Sequence, residues 1–303
     1  MIKYSITPAA LEDAIEAAVP RWSSNAAKRA RKLVQLGAFQ EKTSIWSQVK
    51  PVYMKVQFNK CVFCERQFES PQYGTIEFDL EHFRPKSSVL AWPDPRKHPQ
   101  LAYSVAMGDA APAGYFWLAY DPLNYAASCK VCNTTFKLNY FPVAGPRGAV
   151  NSTTAELAAE APYLCYPLGA DGEDPETLVT FIATVAVPAQ ADGPGRLRGQ
   201  IIIDFFGLNK REQLHRDRAR MLALFGPALL AQAQGTASAS DLRLIASMTE
   251  ANLPHCSCLR AYKQLWARDA ALAQRVFEQC REYMLSEAGT APPYDHDRAA
   301  SIG

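Results

Sequence analysis

Two Cys-x-x-Cys pairs, Cys61 with Cys64 and Cys129 with Cys132, bracket the tripeptide Glu81-His82-Phe83. Four thiolates in two such hooks satisfy the tetrahedral, sulfur-rich preference of zinc. A zinc held wholly by sulfur has no open position for substrate, so this site reads as structural. The hooks are separated by 64 residues, longer than a compact finger needs, so other structure must fill the interval. Within it, a histidine between acids suggests hydrolysis. A neutral imidazole titrates near working pH and can take a proton from water, which assigns His82 as a general base. Glu81 offers a hard divalent cation a carboxylate, and Asn133, directly after the second hook, adds a neutral oxygen. Asp79 is the alternative carboxylate. Arg84 and Lys86, with Lys137 beyond the second hook, are candidate ligands for a phosphate. Glu81 and His82 would face apart in a regular strand. Both serve one site only if the strand ends or twists there, and Pro85 just beyond favours that.

These residues need elements to hold them. The chain divides at about 1–60, 61–145 and 146–303. In the first stretch Thr7-Pro8 starts a helix lined by Leu11, Ile15 and Val19. Ser24 is a candidate cap for a second helix that Gly37 ends, and a third begins near Ser44 and is interrupted or kinked at Pro51. The middle stretch alternates over Gly74–Phe83 as a strand would, with Ile76, Phe78, Leu80 and His82 on one side. Residues Val89–Gly114, with four prolines, read as a long insertion, and a short helix follows the second hook. The last stretch opens with an acidic turn at 170–176. A strand over 178–187 follows, which GQIIIDFF (199–206) is expected to pair against as a hairpin. Asn209 and Glu212 suggest a capping box for a helix through Met221 and Phe225. Leu259 to Tyr283 recur at three- and four-residue steps as one long helix, forming either core or a docking or dimerisation surface. His255-Cys256-Ser257-Cys258 could be half of a second metal site, but no further ligands accompany it. Cys165 and Cys280 read as core.

Composition agrees with a globular chain: 303 residues, 48% hydrophobic and 20% charged. The formal net charge of +2 hides an asymmetry, because residues 1–60 hold ten Lys or Arg against four acids. A basic front end favours contact with a phosphate backbone, although a solvated helix face would look the same. No apolar run is long enough for a membrane span and the start lacks signal-peptide order, so a cytoplasmic protein with reduced thiols and no membrane partner is expected. Neither Gly-x-x-x-x-Gly-Lys-Ser/Thr nor Gly-x-Gly-x-x-Gly occurs, which removes the common nucleotide-phosphate loops.

Cys61-x-x-Cys64, Asp79-Leu80-Glu81-His82-Phe83-Arg84-Pro85-Lys86, Leu123-Asn124 and Cys129-x-x-Cys132-Asn133 together resemble the HNH endonuclease family. The resemblance implies an α+β protein with a ββα-metal core stapled by a four-cysteine zinc, flanked by N-terminal helices and a mostly helical C-terminal lobe. It implies that His82 activates water and that Asn124 is the middle asparagine bracing the loop. Glu81 is then the acidic metal ligand, and Asn133 stands where many members have histidine. It further implies a catalytic magnesium or manganese ion. EHFRPKS, FWLAYDPLNYAASCKVCNTTFK and IIIDFFGLNKREQLHRDRARM are similar to the HNH effectors of Septu-type and retron-linked anti-phage systems, which implies a DNA substrate and a partner ATPase. Two other expectations compete: a zinc-shaped nucleic-acid-binding module without catalysis, and a scaffold subunit that holds an ATPase or a second copy of itself.

Overall fold

The computed structural model describes residues 1–70, 72–169 and 172–286, so Ala170 and Asp171 of the expected acidic turn lie outside the described residues. It is a mixed structure of helices with two small two-stranded sheets. The chain forms two units, one of Lys3–Asn59 with Phe68–Glu173, the other of Met1–Ile2, Lys60–Gln67 and the chain from Asp174 onward.

The first unit begins with α1 (Pro8–Ala18), capped as expected by Thr7, whose hydroxyl accepts from Ala10 N at 3.1 Å. Helix α2 (Trp22–Leu36) starts two residues before Ser24. Its free N–H groups are met by a carboxylate instead of a serine: Glu16 accepts from Arg21 N at 2.7 Å and from Ser23 N at 2.6 Å. Gly37, at φ 68°, ends it in the left-handed conformation that glycine adopts without steric cost. Trp22, Ala26 and Leu33 are buried, while Lys28, Arg31 and Lys32 are exposed on the other face. Pro51 does not interrupt a helix. It sits in the first turn of α3 (Lys50–Val56), where its missing N–H costs nothing.

Strand β1 (Phe78–His82) pairs antiparallel with β2 (Tyr125–Cys129), placing Leu80 opposite Ala127 and His82 opposite Tyr125. The strand is shorter than the alternation suggests, because Gly74–Ile76 forms a 3-10 turn. Gln57, fully buried at the end of α3, donates to Ala127 O and accepts from Ala127 N, both at 2.8 Å. One side-chain amide therefore satisfies both backbone groups of a residue in β2. Directly after β2 comes a π-helix, Val131–Lys137, in which Leu138 N donates to Asn133 O at 2.7 Å. Trp22 and Tyr53 pack edge-on against Tyr125 behind the sheet.

The second unit departs most from expectation. The hairpin forms within 179–188 alone, β3 (Val179–Ile182) pairing with β4 (Val185–Pro188) through Ala183 and Thr184. GQIIIDFF is not its partner strand; it lies in α4 (Gly193–Phe205). Gly199 lets this helix lie directly on the hairpin, since a Cβ there would stand 2.2 Å from Leu178 O, just ahead of β3, and 3.1 Å from Pro188 Cα of β4. Helix α5 (Glu212–Ala233) starts where expected but has no side-chain cap. Asn209 instead donates to Ala186 O and accepts from Ala186 N, both at 2.8 Å, clamping β4. Buried Arg218 of α5 donates to Thr184 O and Leu208 O.

After α6 (Ala239–Ser247), the single long helix expected over 259–283 is two, α7 (Cys256–Arg268) and α8 (Ala270–Leu285). Asp269 separates them and caps α8 by accepting from Leu272 N at 2.9 Å. The apolar stripe is the core of this unit: Leu259, Tyr262, Trp266, Val276, Phe277 and Cys280 are buried with Leu222 and Phe225 of α5. Gly226 admits the Phe277 ring, which a Cβ would meet at 2.1 Å.

Candidate metal and catalytic site

Cys61, Cys64, Cys129 and Cys132 are all buried, and their sulfur atoms lie within 4.8 Å of one another. The backbone N–H of Cys132 donates to Cys129 Sγ at 3.4 Å, a contact that favours the thiolate. Four sulfurs at this spacing could hold a metal such as zinc, with every coordination position filled by protein. Among the described residues this is the one group of three or more such ligands. Cys256 and Cys258 join no metal cluster, and burial pushes their thiols up to about 11 and about 12. Cys165 and Cys280 are buried too.

His82, the last residue of β1, is 5% exposed. Trp46 and Tyr125 stand edge-on to its ring at 4.9 and 5.0 Å, and its Nε2 lies 3.1 Å from Ala119 O. A carbonyl oxygen only accepts, so Nε2 carries the proton and Nδ1 keeps its lone pair. Burial, helped by the nearby Lys86 ammonium, pushes the His82 pKa well below its ordinary value, and the ring stays neutral at physiological pH.

Glu81 precedes it and is also buried. Its Oε1 lies 2.6 Å from Nζ of Lys137, and that ammonium donates onward to His82 O at 3.0 Å. Burial still raises the Glu81 pKa despite this partner. Asp79 is more open: Asn133 Nδ2 donates to it at 3.1 Å, and Lys130 Nζ lies at 3.2 Å. Lys50 stands 4.0 Å from the same carboxylate. A cavity of about 390 Å³ gathers Asp79, Glu81, His82, Lys86 and Asn133, walled by Trp46 and Lys50. Glu81 and His82, adjacent in sequence, thus both reach one opening at the end of the strand.

The other candidates take different places. Asn124 is buried below the cavity: its Oδ1 accepts from Arg84 N at 2.8 Å, and its Nδ2 donates to Arg84 O and Leu118 O. It braces the turn that follows His82. Arg84 itself is buried away from the cavity lining, with Nε donating to Glu160 at 3.1 Å and a terminal nitrogen to Leu157 O. Its guanidinium lies over Phe141 at 5.2 Å. Lys137 is wholly buried. Of the three candidate phosphate ligands, only Lys86 lines the cavity, its ammonium 4.8 Å from the Trp46 ring centre and 5.3 Å from that of Phe39. Trp46, Lys50 and Lys130 were not singled out by sequence reasoning. Lys50 counted there only as one of ten basic residues, and nothing about Trp46 marks it except its place just ahead of Pro51.

Asp79 and Glu81 bring carboxylate oxygens to the cavity and Asn133 an amide beside them, side chains of the chemistry preferred by magnesium or manganese. The raised proton affinity of buried Glu81 is what a neighbouring divalent cation would offset, so these residues fit such an ion.

No helix among the described residues is long and apolar enough to cross a membrane. No family model matches the chain, and no solved structure matches it. Among curated proteins, Septu protein PtuB of Bacillus mycoides (strain KBAB4) is 28% identical over 173 residues, which cover 57% of this chain and 50% of that protein. The match therefore spans about half the length of that relative. The chain is distantly similar to a Septu protein.

Proposed function

We propose that the chain is a metal-dependent endonuclease of the HNH type that hydrolyses DNA phosphodiester bonds. In this reading it is the nuclease effector of an anti-phage defence system and works with a partner ATPase. The observation that carries the reaction is the hydrogen bond from His82 to Ala119 O, which leaves Nδ1 as the basic nitrogen of a buried, neutral ring. The distant similarity to a Septu protein supports the defence role. The order β1, β2, helix, with His82 on the first strand and Asn133 on the helix, supports the HNH assignment.

In this mechanism Nδ1 of His82 removes the proton from the attacking water. Asn124 holds the turn after His82 in place through the Arg84 backbone, and Trp46 and Tyr125 fix the ring plane. Lys86 meets the phosphate charge at the cavity wall. Asp79, Glu81 and Asn133 would hold the magnesium or manganese ion. When bound, that ion would supply the positive charge needed by the pentacovalent phosphate and the departing oxygen.

Plasmid digestion by the purified protein with magnesium or manganese tests this, beside His82→Ala and an EDTA control. Cutting that is lost in both controls is expected, and cutting that survives His82→Ala overturns the mechanism. One observation favours a second reading, a zinc-containing nucleic-acid-binding module: both cavity carboxylates already face lysines, Glu81 with Lys137 and Asp79 with Lys130. That reading predicts DNA binding without cutting by a zinc-loaded protein.

A further inference from the structure

A cleft of about 800 Å³, whose described lining residues all belong to the second unit and lie after Asp174, has no part in the chemistry above. Its floor is the β3–β4 hairpin, and its walls are the first turns of α4, the last turns of α7 and the first turns of α8. The size is that of a small-molecule site. Phe181, Tyr262, Leu265, Leu272 and Val276 supply apolar and aromatic surface. Arg196 from α4 and Arg268 from the end of α7 stand in the lining, and among the described residues no carboxylate does. Three glutamines, Gln190, Gln200 and Gln264, and Thr180 supply the other polar side chains among the described residues.

Each feature narrows the ligand. Two guanidiniums without a lining acid select an anion, because fork-shaped donors suit carboxylate and phosphate oxygens. The apolar floor requires that the anion have a substantial hydrophobic or aromatic body. Glutamine amides both donate and accept; a hydrocarbon chain has no use for them, whereas the edge of a heteroaromatic ring does. We propose that this cleft is a binding site for a heteroaromatic anion of nucleotide size, with the ring over the hairpin and its acid group between Arg196 and Arg268. The site does not depend on the nuclease reading, since it shares no residue with the His82 cavity.

Calorimetric titration of the full chain, with EDTA present, tests the proposal with adenosine monophosphate, adenosine and dodecanoate as probes. Adenosine monophosphate is expected to bind about tenfold or more tighter than adenosine, the worth of a charge-assisted hydrogen bond. The double variant Arg196→Ala with Arg268→Ala should remove that preference, and Ala261→Trp should block the cleft. Lys86→Ala, in the other cavity, should leave the affinity as it was. Arg196 and Arg268 are exposed, so the double variant is expected to fold and decides the matter if the tryptophan variant does not. Equal binding of adenosine and its monophosphate overturns the proposal, as does a double variant that binds like the parent. Binding of dodecanoate alone also overturns it and makes the cleft a site for a lipid-like acid.

Discussion

The ammonium of Lys137 lies 2.6 Å from a carboxylate oxygen of Glu81, both side chains are buried, and the same ammonium is hydrogen-bonded to the backbone oxygen of His82. A single lysine thus holds the carboxylate proposed as metal ligand and the backbone of the proposed base. Lys137→Met leaves the Glu81 charge without a partner in a buried place, a change that typically costs about 3–5 kcal/mol. The variant should melt earlier than the parent in metal-free buffer, and manganese should restore more of its melting temperature than it adds to the parent. Thermal scans with and without manganese read this directly; an equal manganese effect on both proteins would argue against Glu81 as a ligand.

Asn124 makes three hydrogen bonds to backbone, two of them to Arg84. Asn124→Ala abandons buried backbone donors and acceptors at a cost of about 1–3 kcal/mol for each left unmet. Asn124→Asp keeps the acceptor for Arg84 N but sets an oxygen against two carbonyls. Chemical denaturation should therefore rank parent above either variant. If Asn124 acts by positioning, cleavage by any variant that remains folded should lose kcat more than KM.

Lys86 is the one candidate phosphate ligand that lines the cavity. Lys86→Met preserves the stem over Trp46 and removes the charge. DNA affinity should fall uniformly across sequences, and the slope of log affinity against log salt should shrink by about one. An unchanged slope would show that this ammonium touches no phosphate.

Zinc content should be about one ion per chain, the closed stoichiometry of a four-cysteine site. Serine at Cys61, Cys64, Cys129 or Cys132 should lower the content measured by elemental analysis and the melting temperature together. Serine at Cys280 should leave zinc in place.

Stability should also depend on pH through His255. Burial, and next the Arg218 guanidinium, push its pKa from 6.5 down to about 4. The unfolded chain therefore takes up a proton that the folded chain refuses over this interval. The stability contribution is fully present above the unfolded value and is lost as pH falls, amounting to about 3 kcal/mol between about pH 6.5 and 4. His255 has φ 51°, a left-handed backbone that asparagine tolerates well. Denaturation of His255→Asn at several pH values should show a flatter acid limb than the parent.

Spacing made part of this molecule readable in advance. Two cysteine hooks at fixed intervals announce a sulfur cluster whatever fills the loop between them, and Thr7-Pro8 and Gly37 mark helix ends by local chemistry alone. GQIIIDFF misled because a run of buried apolar residues has no period: every side of α4 is covered where Ile201, Ile202 and Ile203 lie, so helix and strand look alike. Asp269 was hidden inside a three- and four-residue pattern that continues across it. The Glu81–Lys137 pair was invisible for another reason, since 55 residues and a strand crossing separate its members and no local rule links them. Arg84 looked like a surface cation beside the base, but Glu160, far along the chain, draws it inward.

The π-helix at Val131–Lys137 has one further consequence, for comparison and transplantation. Its wide turn, seen in the bond from Leu138 N to Asn133 O, contains one residue more than an α-helical turn over the same path. Aligning this segment against an α-helical counterpart therefore needs a single-residue gap between Asn133 and Lys137. Without that gap, grafting in a regular helix would match the asparagine and leave the lysine one position out of register, pointing about 100° away from Glu81.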